Sequence, residues 1–133
     1  MKIHKNAGEL KSLNIAMASD IHLGTIFGKS FLNKLVTEIN KLNPDIILLA
    51  GDIIDEDLTA VIKNNVGEEL IRLKSKYGVY AITGNHEYIG GVEEAYRYLV
   101  AHSVNVLRDE KIKIDNAFYV VGREDRSIRQ FAG

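Results

Sequence analysis

Short apolar runs alternate along this chain with segments whose apolar residues recur at helical spacing. Leu13 to Ala18, Ile46 to Ala50 and Val79 to Thr83 are apolar runs, and runs of this kind predict buried strands. Between the first two, a helix is predicted from an N-cap at Ser30 to about Leu42. The side chains expected on its buried face are Phe31, Leu35, Ile39 and Leu42.

The second half of the chain continues the alternation. Val66 to about Lys76 predicts another helix, whereas Asp55 to Asn64 predicts a loop or an irregular helix. A third helix is predicted where apolar residues recur between Val92 and Val100, followed by a brief strand from Val104 to Leu107. These segments together predict an α/β domain with a mostly parallel central sheet flanked by helices.

A hairpin is expected near the carboxyl end of the sequence. Lys111 to Ile114 and Ala117 to Val121 flank the turn-forming pair Asp115-Asn116. At 133 residues, the chain has the length of a single domain, residues 1–133, with a hydrophobic core.

The composition excludes several classes of function. A net charge of −1 gives no strong signal for nucleic-acid binding, and the absence of cysteine excludes thiolate metal sites and a cysteine nucleophile. No apolar run approaches the roughly 20 residues that span a bilayer, so the chain as given is expected to be soluble. The cellular compartment is left open.

Polar residues follow each of the first three predicted strands. The first ends in Ser19-Asp20-Ile21-His22, the second in Gly51-Asp52-Ile53-Ile54-Asp55 and the third in Gly84-Asn85-His86-Glu87. Ligands of parallel α/β sheets bind at the carboxyl ends of the strands. The three segments are therefore expected to meet at one edge of the sheet.

A phosphate-binding loop is one interpretation of the first strand end. Gly28-Lys29-Ser30 resembles the end of such a loop, which requires four residues after its first glycine. Only three residues separate Gly24 from Gly28, so one backbone amide too few is available. A P-loop-like nucleotide hydrolase is therefore the less favoured hypothesis.

A metal site explains more of the residues. Asp20 and His22 are two positions apart in a strand-like exit, where alternate side chains share a face. Carboxylate and imidazole ligands suit divalent manganese, iron or zinc. Asp52 offers a carboxylate that can bridge two ions, and Asn85 offers an amide oxygen. His86 is suited either to ligate metal or to donate a proton to a leaving group. Two ions in such a site would activate a bridging hydroxide to attack phosphorus.

These three segments, in this order, resemble the first motifs of calcineurin-like metallophosphoesterases. The matching residues are Asp20-x-His22, Gly51-Asp52-x-x-Asp55 and Gly84-Asn85-His86-Glu87. The resemblance covers roughly Leu13 to Gly122 and is greatest to a subgroup of small bacterial phosphohydrolases. Many members of that subgroup carry amino-terminal membrane helices, so the resemblance implies a parent protein with a membrane anchor.

The resemblance implies a phosphoester hydrolase with two divalent ions, of manganese, iron, zinc or magnesium. Asp20, His22 and Asp52 would hold the first ion, while Asp52 and Asn85 would hold the second. His86 would protonate the leaving oxygen or stabilise the transferring phosphoryl group.

The same resemblance implies roles for residues that do not ligate an ion. Asp55 would orient His86 through a hydrogen bond. Gly51 and Gly84 would allow tight turns close to the ions. Glu87 belongs to the third motif, but the sequence assigns it no chemical role.

The sequence also departs from the family pattern. Its four histidines are at positions 4, 22, 86 and 102, and none lies in the Gly-His-x-His motif that supplies further ligands in the family. The chain is therefore expected to be a truncated domain, half of the family's β-sandwich, with an exposed sheet through which it self-associates. An alternative function is a catalytically silent domain that binds metal or serves in assembly.

Overall fold

Four short parallel strands form the central sheet, in a computed structural model that describes residues 2, 4, 8–24, 27–55, 58–84, 87 and 91–123. The strands are β1 (Ile15–Ala18), β2 (Ile46–Ala50), β3 (Val79–Ile82) and β4 (Asn105–Val106). They lie side by side in the order β1-β2-β3-β4, and each neighbouring pair is parallel. The predicted parallel sheet is confirmed.

Helices occupy the connections between these strands. They are α1 (Lys29–Lys41), α2 (Leu58–Lys63), α3 (Glu68–Ile71) and α4 (Val92–Ala101). Connections between adjacent parallel strands are almost always right-handed, and here successive strands are added in one direction. The helices consequently share one face of the sheet. Their buried side chains form one apolar cluster with alternate residues of the strands.

Helix α1 differs in detail from its prediction. The N-cap is Gly28 rather than Ser30, and no side chain caps the helix. The buried side chains are Leu32, Val36 and Ile39. Phe31 is 40% exposed and Leu42 is 61% exposed, so the predicted buried face was wrong at both ends. The observed set also has helical spacing, and packing against the sheet selects between the two registers.

Helix α3 is much shorter than the segment predicted from Val66 to Lys76. The side chain of Asn40, on α1, accounts for the early end. Its Nδ2 donates to the carbonyl of Arg72 over 2.8 Å, and its Oδ1 accepts from the N–H of Lys74 over 3.0 Å. A side chain that bonds backbone groups in this way competes with continuation of the helix. The chain then turns towards β3.

A hairpin of β5 (Glu110–Ile114) and β6 (Phe118–Gly122) follows the parallel sheet, as predicted. Asp115 and Asn116 both have positive φ, 48° and 53°, and the N–H of Ala117 donates to the carbonyl of Ile114 over 2.8 Å, as in a turn of type I′. Side chains of the hairpin, including Ile114 and Val120, pack with Ile46, Tyr80 and Leu107 in a second apolar cluster. This cluster is separate from the one formed with the helices.

Part of the sheet beside this second cluster is open to solvent. An apolar groove, here called the open sheet face, is lined by Met17, Leu48, Ile82, Leu107, Val120 and Val121. Met17 is 70% exposed and Val121 is 64% exposed. Within the residues that the structure describes, no helix is both long and apolar enough to cross a membrane.

Leu99→Ala tests the packing of α4 on the sheet. Leu99 is fully buried in the larger apolar cluster, so its truncation should lower the free energy of unfolding by about 2–5 kcal/mol. Ile62→Ala, at a position 56% exposed on α2, is the matched control and should change it by less than about 0.5 kcal/mol. Urea denaturation of both variants measures the difference, and equal effects would contradict the packing described.

Candidate metal centre

The loops after β1 and β2 remain paired beyond the ends of their strands. The N–H of His22 donates to the carbonyl of Asp52 over 2.9 Å, and the N–H of Leu23 donates to the carbonyl of Ile53 over 2.8 Å. The side chains of Leu23 and Ile53 are fully buried beneath these loops. Both loops are thus held together by their backbones and anchored in the core.

The candidate ligands adopt an uncommon backbone conformation. Asp20, His22 and Asp52 have φ values of 54°, 51° and 50°, in the left-handed region. This conformation costs an L-residue roughly 1–2 kcal/mol, and such residues cluster at functional sites. β1 ends at Ala18, before Asp20 and His22. The left-handed backbone at these two residues, and not the predicted alternation along a strand, therefore brings their side chains to one side.

Three ligand-type side chains meet at this edge of the sheet. One ligand atom from each of Asp20, His22 and Asp52 lies within 4.8 Å of the others. The Nε2 atom of His22 is 3.8 Å from Oδ1 of Asp20. The side chain of Asp20 is 69% exposed and that of His22 is 28% exposed. The cluster is therefore accessible from solvent.

The donor set fits a divalent cation. Two carboxylates and one imidazole provide negative charge and a nitrogen ligand, a combination suited to manganese, iron or zinc. Bonds of about 2.0–2.2 Å place two ligands of one ion at most about 4.4 Å apart. The 3.8 Å between His22 and Asp20 is inside this limit. The ligand atoms of the three side chains lie within 4.8 Å of one another, and rotation of the exposed Asp20 side chain can bring its carboxylate closer to the other two.

Asp55 lies next to His22. Its Oδ1 is 3.6 Å from Nδ1 of His22, on the opposite side of the imidazole from Asp20. Ligating imidazoles commonly have a carboxylate at the ring nitrogen that does not bind the ion, and this carboxylate fixes the orientation of the ring. Asp55 is therefore placed to orient His22.

Two glycines allow the loops after β2 and β3 to approach closely. A Cβ atom on Gly84 would lie 2.8 Å from the backbone nitrogen of Asp52 and closer still to its carboxylate. Gly51 has φ of 88°, and a Cβ there would contact the backbone of Gly84 at 3.4 Å. Space for Asp52 thus depends on the absence of a side chain at position 84.

Glu87 is the most deeply buried carboxylate described in this region, at 1% exposure. Its Oε1 accepts from the N–H of Ile53 over 2.7 Å, and its Oε2 accepts from the N–H of Gly84 over 3.2 Å. Burial raises the pKa of the Glu87 carboxyl above its ordinary value, while the hydrogen bonds from Ile53 and Gly84 act in the opposite direction. Glu87 therefore links the loops after β2 and β3.

The structure describes some of the residues that the sequence predicts for this site. Asp20, His22 and Asp52 are brought together, and Asp55 lies beside them. Asn85 and His86 lie outside the described residues, as does the contact predicted between Asp55 and His86.

Sequence reasoning left the role of Glu87 open. A capping box, in which a Glu reaches back three residues to a backbone N–H, has Ser, Thr, Asp or Asn where this chain has Gly84, so the sequence contained no signal for the bond from Gly84 to Glu87. Its second bond, to Ile53, joins positions 34 residues apart and depends on the fold.

Comparisons with known proteins identify relatives of this chain. A metallophosphoesterase of Helicobacter pylori J99 is 33% identical over 104 residues, covering 78% of this chain and 28% of that protein. A transmembrane protein with a metallophosphoesterase domain from Bos taurus is 34% identical over 113 residues, covering 84% of this chain and 25% of that protein. A Campylobacter jejuni metallophosphoesterase is 39% identical over 93 residues, covering 70% and 24%.

The chain thus spans about a quarter of the length of these relatives. The profile of the calcineurin-like phosphoesterase family matches residues 13–130, a range that contains all the candidate ligands. This chain belongs to the calcineurin-like phosphoesterase family.

Proposed function

We propose that this chain provides ligands to a two-metal centre that hydrolyses phosphoesters. The observation that carries the proposal is the cluster of Asp20, His22 and Asp52, whose ligand atoms lie within 4.8 Å of one another. Family membership supports metal-dependent phosphoester hydrolysis as the reaction. The substrate class is a phosphate monoester, a diester or a pyrophosphate.

Electrostatics explains why the cluster requires cations to act on such a substrate. Asp20, Asp52 and Asp55 place three carboxylates around His22, and carboxylates repel an anionic phosphoester. Divalent ions supply the positive charge that offsets this repulsion, polarises the phosphoryl oxygens and lowers the pKa of water. The carboxylates in turn hold the ions by charge.

Each candidate ligand has a proposed share in the centre. Asp20, His22 and Asp52 hold the first ion, with Asp55 orienting the imidazole of His22. Asp52 also contributes to the second ion, together with the amide oxygen of Asn85. His86 donates a proton to the leaving oxygen or stabilises the charge on the transferring phosphoryl group.

We propose that the centre formed by these residues alone is incomplete. The first ion receives three ligands from them and the second receives two, fewer than a tetrahedral site requires. Further ligands then come from elsewhere in the full protein or from another chain. If these are lacking, the chain is a silent domain that binds one ion. By analogy with the relative from Bos taurus that is named as transmembrane, the full protein is proposed to be membrane-anchored.

Self-association through the open sheet face is the second part of this proposal. Met17 and Val121 are large apolar side chains with exposures of 70% and 64%, and they border one groove. Among the strands that the structure describes, β1 is also at the edge of the sheet. Exposed apolar surface next to an unpaired strand edge favours association with a second copy.

Asp52→Asn tests the metal centre. The substitution removes the negative charge proposed to bridge both ions, so Mn²⁺ binding should weaken at least about 10-fold. Metal-dependent phosphoester hydrolysis should be abolished in any form of the protein that shows it. Asp115→Asn, in the hairpin turn, is the matched control and should change neither. Isothermal titration with Mn²⁺ measures affinity and stoichiometry. Unchanged binding in Asp52→Asn would remove Asp52 from the centre.

Gly84→Ala tests the close approach of the loops. A methyl group at this position collides with Asp52, so the variant should lose about 1–3 kcal/mol of stability and bind Mn²⁺ more weakly. Gly28→Ala, where a Cβ would meet nothing within 4 Å, is the control. Thermal denaturation and Mn²⁺ titration of both variants give the comparison. Stability and Mn²⁺ affinity of Gly84→Ala that equal those of the unaltered chain would show that position 84 tolerates a side chain.

Sedimentation equilibrium at high protein concentration tests self-association. The unaltered chain should show an apparent mass above 14.9 kDa that rises with concentration. The double variant Met17→Lys, Val121→Lys should shift towards monomer, whereas Ile62→Lys, on the exposed side of α2, should not. A clean monomer for the unaltered chain would refute the proposal.

A further inference from the structure

A buried carboxylate next to the cluster of candidate ligands has no part in the proposed chemistry. Glu87 is 1% exposed, and burial of a carboxylate is costly unless polar partners satisfy it. No lysine, arginine or histidine among the described residues forms an ion pair with it. Its described partners are backbone N–H groups. Such a costly arrangement at a candidate site calls for a physical explanation.

The two backbone groups bound by Glu87 are both adjacent to Asp52. Ile53 is the next residue along the chain and donates to Oε1 over 2.7 Å. Gly84 belongs to the neighbouring loop, packs against Asp52 and donates to Oε2 over 3.2 Å. One rigid carboxylate therefore fixes the distance between the loop that carries Asp52 and the loop that follows β3.

This link complements the backbone pairing on the other side of Asp52. The loop after β1 is joined to that after β2 by hydrogen bonds from His22 and Leu23. The paired residues of β2 and β3 end at Ala50 and Ile82, before the candidate site begins. Beyond them, Glu87 connects the second and third loops.

We propose that Glu87 is a positioning residue of the metal centre, which holds the loops after β2 and β3 in register so that Asp52 is preorganised for metal. The inference rests on the proposed function, since it assigns a role towards the same ions. Glu87 does not ligate metal in this role. Its carboxylate acts through the backbone of Ile53 and Gly84.

Glu87→Gln is the sharpest test of this role. Glutamine keeps the size of the side chain but has one acceptor oxygen. Its NH₂ group therefore faces one of the two backbone N–H groups and accepts no hydrogen bond from it. Mn²⁺ affinity should fall about 10–100-fold, the usual effect of removing a group that supports a ligand. Electron paramagnetic resonance of free Mn²⁺ during a titration counts the ions bound by the folded variant.

Glu69→Gln is the matched control. Glu69 is also buried, at 8% exposure, and its carboxylate bonds Arg72 over 2.6 Å and Asn33 over 3.0 Å, away from the cluster. The control reproduces the loss of a buried charge but should leave Mn²⁺ affinity unchanged. Equal affinities of Glu87→Gln and the unaltered chain would overturn the positioning role, as would an equal loss of affinity in both variants.

Hydrogen exchange on the unaltered chain provides a test that does not depend on the folding of a variant. If Glu87 positions Asp52 for metal, ion binding must in turn strengthen the bonds to Glu87, because coupling is reciprocal. Saturating Zn²⁺ should slow exchange of the Ile53 and Gly84 amides by at least about 5-fold, a coupling typical of linked sites. Exchange rates that do not change on Zn²⁺ binding would overturn the role.

The same measurements separate this inference from the proposed function. Mn²⁺ binding that is lost in Asp52→Asn but retained in Glu87→Gln would overturn the positioning role alone. An unaltered chain that binds no Mn²⁺ would overturn both the metal centre and the role assigned to Glu87.

Discussion

The candidate site depends on parallel pairing that continues past the ends of the strands. Hydrogen bonds from His22 to Asp52 and from Leu23 to Ile53 hold two loops in register where regular strand geometry has already ended. Because these bonds use backbone groups, the side chains of Asp20, His22 and Asp52 remain directed to one cluster. The buried side chains of Leu23 and Ile53 attach the paired loops to the core. The left-handed backbone of all three candidate ligands is sustained by this combination.

Sheet topology decides which surfaces are covered and which remain open. Strands added in one direction by right-handed connections place the helices on a single face. In the part of the chain that the structure describes, the hairpin of β5 and β6 covers part of the other face, and Met17 and Val121 are exposed there. The positions of the carboxyl ends of the strands nevertheless depend on the parallel sheet and not on what covers this other face. The ligand cluster can therefore form whether or not the open sheet face is covered.

Three carboxylates in and beside the cluster have different surroundings. Asp20 is exposed at the rim, Asp55 lies against the imidazole of His22, and Glu87 is buried among backbone N–H groups. Exposure suits a carboxylate that exchanges water for an ion, whereas burial with fixed hydrogen bonds suits one that sets the spacing of loops. Glycines at positions 51 and 84 also contribute to the site, since they let the backbones of the loops after β2 and β3 approach each other. Chemical type alone does not separate these roles.

The sequence by itself determined the parallel α/β sheet, the hairpin at Asp115-Asn116 and the grouping of Asp20, His22 and Asp52. Apolar runs fix buried strands locally, and strand ends of one parallel sheet must share an edge. Only the tertiary structure decided the buried face of α1, the early end of α3 and the link from Glu87 to Ile53. Each of these depends on contacts between distant segments. Helix α1 packs on the sheet, Asn40 bonds the backbone of Arg72, and Glu87 bonds the backbone of Ile53 across 34 residues. Local spacing is compatible with several such contacts, and packing selects one.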